Sequence, residues 1–264
     1  MSKVKDGKIE GMFLLLDRRD MVGLNHWADE LERRGIPALI QVDGYTIENN
    51  RDIVTDLSKR GFEIGCAFNE RPLWNEPYAA QYAILKNMRD RIQPCLARPV
   101  RVFSTKFFAY DEVTLKVADA LGAEYVLGRG TAGTGAVVYK PKEYKTKIVS
   151  VSSVPYKEMG TGSLCDESLW ARGVTPVDFK DILFNLREQK IILVAQTHLS
   201  GVKLRWWNVY QDFLNAGTVL WRSLDRFSDD AVVLPNGQIP VNTEVKYTAP
   251  QPNIPLEEEP VCFC

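Results

Sequence analysis

Histidine is scarce in this sequence. Only His26 and His198 occur in 264 residues, so a three-histidine zinc centre cannot be assembled within one chain. An excess of one charge sign is also missing. The 33 Lys and Arg stand against 34 Asp and Glu, for a formal net charge of -1. A dedicated nucleic-acid binder carries a basic excess, so no nucleic-acid partner is expected. No apolar run reaches the roughly 18 residues of a membrane span. Met12 to Leu16 is too short for the apolar core of a secretion signal, and the residues before it are polar. The chain is therefore expected to be cytoplasmic. Cysteine is sparse, with five residues at 66, 95, 165, 262 and 264. Their odd number and scatter argue against a disulfide framework. Cys262-Phe263-Cys264 reads as a reduced tail rather than a soft-metal pair.

What is present is ordinary for a folded chain. Hydrophobic residues make up 45% and charged residues 25%, which excludes a disordered chain and a coiled coil. The apolar pattern alternates strand and helix. Met12–Leu16, Pro37–Val42, Phe62–Phe68, Val100–Phe103 and Glu124–Leu127 read as strands. Helices are expected over Asp20–Arg34, Ile47–Lys59, Glu76–Ile92 and Asp111–Leu121. A β-rich insertion is expected from Gly128 to about Pro176. After it come a helix over Val177–Gln189, a strand over Lys190–Ala195, a helix over Leu204–Leu214 and a strand over Thr218–Trp221.

This order implies an α/β fold with parallel strands and right-handed crossovers. A parallel sheet places its chemistry at the C-terminal strand ends. Those ends carry Asp17-Arg18, Asp43, Phe68-Asn69-Glu70-Arg71, Ser104-Thr105 and Gly128-Arg129. One domain is expected over residues 1–234, followed by an irregular extension over 235–264.

Several motifs carry two readings. Asp17 directly follows an apolar strand, where burial would raise its pKa and suit it to act as a general base. It also fits an N-cap, or an ion pair with Arg18 or Arg19. His198 follows a late strand as a site residue or a loop cap. Trp170, near a loop, offers either a stacking face for a sugar or core packing. Gly128-Arg129-Gly130-Thr131-Ala132-Gly133 matches G-x-G-x-x-G. The β-like run after it argues against a dinucleotide site, which needs a helix there.

Taken together, these segments resemble the polysaccharide deacetylase family, carbohydrate esterase family four. Leu15-Leu16-Asp17-Arg18 resembles its T-F-D-D, and Gly61-Phe62-Glu63-Ile64-Gly65 its G-H-E-I-G. The run from Gly35 to Gly44 resembles its second strand, and Arg101 the Arg of its R-x-P-Y-G. Ser152-Ser153-Val154-Pro155 resembles its E-x-P, and Ile191 to His198 its late strand with a functional His.

The resemblance implies a distorted (β/α) barrel of TIM-like type, and hydrolysis of an N-acyl or O-acyl group of an amino sugar in surface-glycan biosynthesis or modification. It also implies catalysis by Asp17 as base and His198 as acid. A divalent metal such as zinc would be expected, but its ligand positions map onto Arg18, Ala67 and Arg71. Arg stays protonated and Ala has no donor atom, so no metal is expected. The alternative is a degenerate member that binds an anionic sugar or nucleotide-sugar through Arg18, Arg71 and Arg101, with Asn69 and Trp170 as further contacts.

Overall fold

The computed structural model describes residues 8–130, 133, 135–156, 160–200 and 204–240. Thr131, Ala132 and the part of the expected extension that holds Cys262 and Cys264 lie outside the described residues.

Strands form where continuous apolar runs can be buried on both faces. They are β1 (Ile9–Leu16), β2 (Ala38–Val42), β3 (Glu63–Phe68), β4 (Val102–Thr105), β5 (Tyr125–Gly128), β6 (Val137–Pro141), β7 (Lys147–Ser150), β8 (Ser153–Pro155), β9 (Thr161–Ser163), β10 (Lys190–Gln196), β11 (Val219–Trp221) and β12 (Val232–Leu234). The main sheet runs β10-β1-β2-β3-β4-β5-β7-β6-β12, and β11 pairs with β1. All of its pairings are parallel except β6 with β7. The sheet curls into a half-barrel, the (β/α) barrel arrangement expected from the alternation.

Two apolar layers follow from the period-2 alternation along each strand. Met12 and Leu14 of β1 join Leu39, Val102, Leu127, Val149, Ile192 and Val194 in an inner cluster. Phe13 and Leu15 face outward and join Leu24, Trp27 and Leu31 of the first helix, Met21–Arg33. Toward the upper end of the interior the lining turns polar. Ser104 Oγ donates to Gln41 Oε1 at 2.9 Å. Gly65 leaves room for this pair, because a Cβ there would collide with the Gln41 amide.

The insertion extends the sheet rather than standing apart from it. β7 pairs parallel to β5 (Val126↔Ile148) and antiparallel to β6 (Val138↔Val149). It also covers the open edge of β10. Ala136 N donates to Lys190 O at 2.8 Å, Ile192 N to Ser152 Oγ at 2.9 Å and Val194 N to Leu164 O at 3.0 Å. The open side of β10 is thus covered by scattered bonds to the insertion instead of a strand ladder.

Two expectations change. The helix expected over Ile47–Lys59 is two helices, Gly44–Asn49 and Arg51–Lys59. Asp43 caps the first by accepting from Thr46 N, and Asn50 breaks the pair at φ -141, ψ 44. The helix expected over Val177–Gln189 spans Pro176–Phe184, opened by a capping box between Thr175 and Asp178. Among the described residues no helix is long and apolar enough to cross a membrane.

Trp27 joins the first helix to the sheet. It is fully buried, with Phe13, Trp207 and Tyr210 ring centroids at 5.1, 4.7 and 5.1 Å. Trp27→Ala is expected to lower the unfolding free energy by about 3–5 kcal/mol in a urea titration. A loss below about 1 kcal/mol would mean that this helix is not held through its aromatic contact.

Candidate functional site

The turn after β1 is built from Asp17, Arg18, Arg19 and Asp20. Asp17 is fully buried, and its Oδ1 accepts from Arg19 N at 2.8 Å. This bond holds Arg19 at φ 65, a left-handed conformation that a non-glycine residue adopts at a cost. Asp20, not Asp17, caps the following helix, accepting from Gly23 N. The two arginines do not pair with Asp17 either. Arg18 Nη2 donates to Glu167 Oε1 at 2.8 Å, and Arg19 Nε donates to Asp43 Oδ2 at 3.0 Å. Arg18 N donates to Thr197 Oγ1 at 3.0 Å, which ties β1 to the end of β10.

Asp17, Arg18, Arg19, Asp43, Asn69 and His198 line one cavity at the C-terminal strand ends. Asp17, Arg18, Asn69 and His198 are therefore brought together, as the parallel topology predicts. Asp17 Oδ2 and Thr46 Oγ1 are both buried. Burial raises the Asp17 pKa, and the Asp43 charge adds to the rise. The nearby Thr46 hydroxyl and the Arg19 N–H oppose it. His198 moves the other way. Burial lowers its pKa, Arg18 lowers it further, and Glu167 and Asp20 oppose this. His198 Nδ1 is buried and makes no hydrogen bond. The cavity thus pairs a carboxyl that resists ionisation with an imidazole that is neutral at pH 7.

The remaining expected site residues lie elsewhere. Arg71 is half exposed, is bonded to Glu76 and lines neither strand-end cavity. Arg101 precedes β4, so it lies at the opposite, N-terminal end of the sheet. There it binds Glu63 at 2.6 Å, Asp225 at 2.9 Å and Glu124 at 3.2 Å. Arg18, Arg71 and Arg101 therefore do not converge. Trp170 ends the helix Asp166–Trp170 and packs against the core without lining either cavity. Gly128-Arg129-Gly130 leads to β6 and not to a helix, as the pattern suggested.

Sequence reading missed a second strand-end cavity, of about 140 Å³, that shares Arg18 and Asn69 with the first. Its other charged walls are Lys106, Arg129, Glu167 and Arg172. Lys106 was hidden because β4 runs two residues past its expected end, to Thr105. Arg172 could not be placed without the path of the insertion. Arg129 directly follows β5, so its strand-end position was the one available signal. Phe107 and Phe108, on the same rim, have φ 63 and φ 54. Such strain costs about 1–3 kcal/mol per residue and persists where the surroundings enforce it.

The residues do not fit the expected divalent metal. Arg18, Ala67 and Arg71 supply no donor for a cation. Ala67 is buried within β3. Among the described residues no group of three His, Cys, Asp or Glu side chains could hold a metal ion.

Comparison with known proteins places the scaffold. The family model described as polysaccharide deacetylase matches residues 13–126. A solved protein from Mycobacterium smegmatis designated a polysaccharide deacetylase is 13% identical, with a TM-score of 0.66 over 86% of this chain and 91% of that one. A CE4 family pseudoenzyme from Bacillus anthracis is 10% identical, with a TM-score of 0.59 over 86% and 69%. A mutant described as that pseudoenzyme with restored enzymatic activity also matches. A family 4 acetyl xylan esterase from Clostridium thermocellum, solved with a cobalt ion, is 12% identical, with a TM-score of 0.58 over 83% and 89%. No match was found among curated proteins.

The raised pKa of Asp17 sets a sign for stability. Its folded form favours the protonated acid, so ionisation costs the fold stability as pH rises through the folded value. Asp17→Asn keeps an acceptor for Arg19 N–H and removes the charge. Its urea midpoint is expected above that of the wild type at pH 7, with the gap closing below about pH 3.5, where both states protonate. A lower midpoint at pH 7 would show that the charged carboxylate stabilises the turn.

Proposed function

Residues 13–126 match the polysaccharide deacetylase family model, and from that premise we propose that the chain binds a carbohydrate in the strand-end cleft without metal-dependent hydrolysis. The ligand is a glycan or a nucleotide-activated sugar, used in assembly or modification of a surface glycan. One observation supports this reading above the others: guanidinium and methyl groups stand at Arg18, Ala67 and Arg71, where the resemblance expects metal ligands. There a dication would meet the fixed charge of Arg18 and no donor atom on Ala67.

Binding calls for groups that orient hydroxyls and amides, and the cleft has them. Asn69 carries both donor and acceptor atoms. Asp43 and Arg19 are fixed by their mutual bond. Tyr45 lies beneath Arg19, whose guanidinium carbon is 4.7 Å from the ring centroid, and it lines the adjoining groove with Ala67 and Asn69.

A second reading, metal-independent hydrolysis of an N-acyl or O-acyl group, is favoured by the shared cavity of Asp17 and His198. Asp17, once ionised, would take a proton from water. Neutral His198 would steady the developing oxyanion through its N–H, and the leaving group would take up the proton that Asp17 removed from water. Such acid–base assistance contributes about 10²–10⁴-fold. It would act on water of pKa about 15.7 rather than the value near 7 that a metal confers.

Calorimetric titration with N-acetylglucosamine oligomers, with acetate followed in the same samples plus added zinc, tests the proposal. Binding without acetate release is expected. Zinc-dependent release that disappears in Asp17→Asn would overturn it. Zinc-independent release lost in both Asp17→Asn and His198→Ala would establish the second reading instead.

A further inference from the structure

We infer that the groove between the helices Gly44–Asn49 and Tyr78–Ile92 is a subsite for a second, uncharged sugar unit, so that the ligand is a neutral oligosaccharide rather than a nucleotide-activated sugar. This rests on the carbohydrate-binding reading and decides between the two ligand classes that it leaves open. The groove measures about 600 Å³ and the cavity of Asp17 and His198 about 330 Å³. Small-molecule sites span about 300–1,000 Å³, so each space has room for a sugar ring. Arg19, Asp43 and Asn69 line both. The two spaces therefore adjoin along these residues, and a glycosidic link placed there would join a ring in each.

Charge decides what the groove accepts. Its two cations, Arg19 and Arg91, stand among three carboxylates, Asp43, Glu48 and Glu70. Arg19 is bonded to Asp43 at 3.0 Å. Arg91 is bonded to Glu48 and donates to Gly44 O at 3.0 Å. Each guanidinium is thus already neutralised by a carboxylate. A diphosphate in the groove would have to displace one of these carboxylates or lie beside it, at an electrostatic cost. A hydroxyl or acetamido group meets no such cost, and the bonded pairs hold their donor and acceptor atoms in place in advance. The wall formed by the helix Tyr78–Ile92 follows from its periodicity. Ile84, Asn87, Met88 and Arg91 recur at helical spacing and share one face. Asn87 brings an amide with both donor and acceptor atoms. Ile84 and Met88, with the methyl of Ala67, supply apolar surface for the C–H side of a ring or the methyl of an acetamido group.

The test uses the full chain in calorimetric titrations with three probes: N-acetylglucosamine, its disaccharide N,N′-diacetylchitobiose and UDP-N-acetylglucosamine. The disaccharide is expected to bind at least fivefold more tightly than the monosaccharide, and the nucleotide sugar no more tightly than the monosaccharide. Asn87→Leu removes the amide and narrows the groove, and Arg91→Met removes a guanidinium from the same wall. Each should bring the disaccharide down to the affinity of the monosaccharide. Asn87 is exposed, so its variant remains informative if Arg91→Met fails to fold. Lys86→Ala, on the same helix but outside the groove, should change neither affinity. Equal affinity for the monosaccharide and the disaccharide, or a disaccharide advantage that both groove variants retain, would overturn the subsite and leave the carbohydrate-binding cleft standing. A nucleotide sugar that binds at least fivefold more tightly than the monosaccharide, with that gain lost in Asn87→Leu, would show that the groove takes a nucleotide and overturn the neutral assignment. Binding of none of the three would overturn the carbohydrate reading and the subsite with it.

Discussion

The end of β1 is pinned to three neighbours at once, and the rim of the barrel depends on that. Asp17 turns the chain by accepting from Arg19 N. Arg19 then reaches Asp43 at the end of β2, Arg18 N reaches Thr197 after β10, and the Arg18 side chain reaches Glu167 in the insertion. A parallel sheet gathers its loops on one rim, but nothing in the sheet itself sets their spacing. Here the spacing is set by one buried carboxylate and two arginines that leave it in opposite directions. The same links hold the insertion against the open edge of β10, where no continuous strand ladder exists.

That arrangement changes what the rim can bind. A dication needs several lone pairs at close range, and it is repelled by fixed positive charge. Arg18 contributes a permanent cation beside Asp17, and the buried Asp17 carboxyl is shifted toward its neutral form. On the proposed reading the site favours groups with hydrogen-bonding hydroxyls over a metal. The scaffold and the chemistry have separate physical causes. The scaffold rests on strands buried on both faces, whereas the metal chemistry that the resemblance implies would rest on positions held here by Arg18, Ala67 and Arg71.

Much of this was legible in the sequence, and the reasons differ by element. Continuous apolar runs at β1, β3 and β10 announced buried parallel strands, because few other segments of that length hold so little polarity. The strand-end rule then brought Asp17, Asn69 and His198 to one cavity. Arg101 was misplaced by two residues of strand boundary. β4 begins at Val102, so Arg101 stands at its start, on the N-terminal side of the sheet. Arg71 lay in a loop whose direction no periodicity encodes, and Glu76, five residues on, turns it away. Arg172 became a site residue only through the path of the insertion, whose β8–β9 hairpin and short helix no single-sequence pattern positions.

The account stands or falls on whether the strand ends can hold a dication. Titration of the purified full-length chain with cobalt, followed by visible absorption and by metal content after dialysis, measures this directly. The account predicts no ligand-field spectrum and far less than one ion retained per chain. One tightly held cobalt per chain, with a spectrum that Asp17→Asn or His198→Ala abolishes, would contradict it.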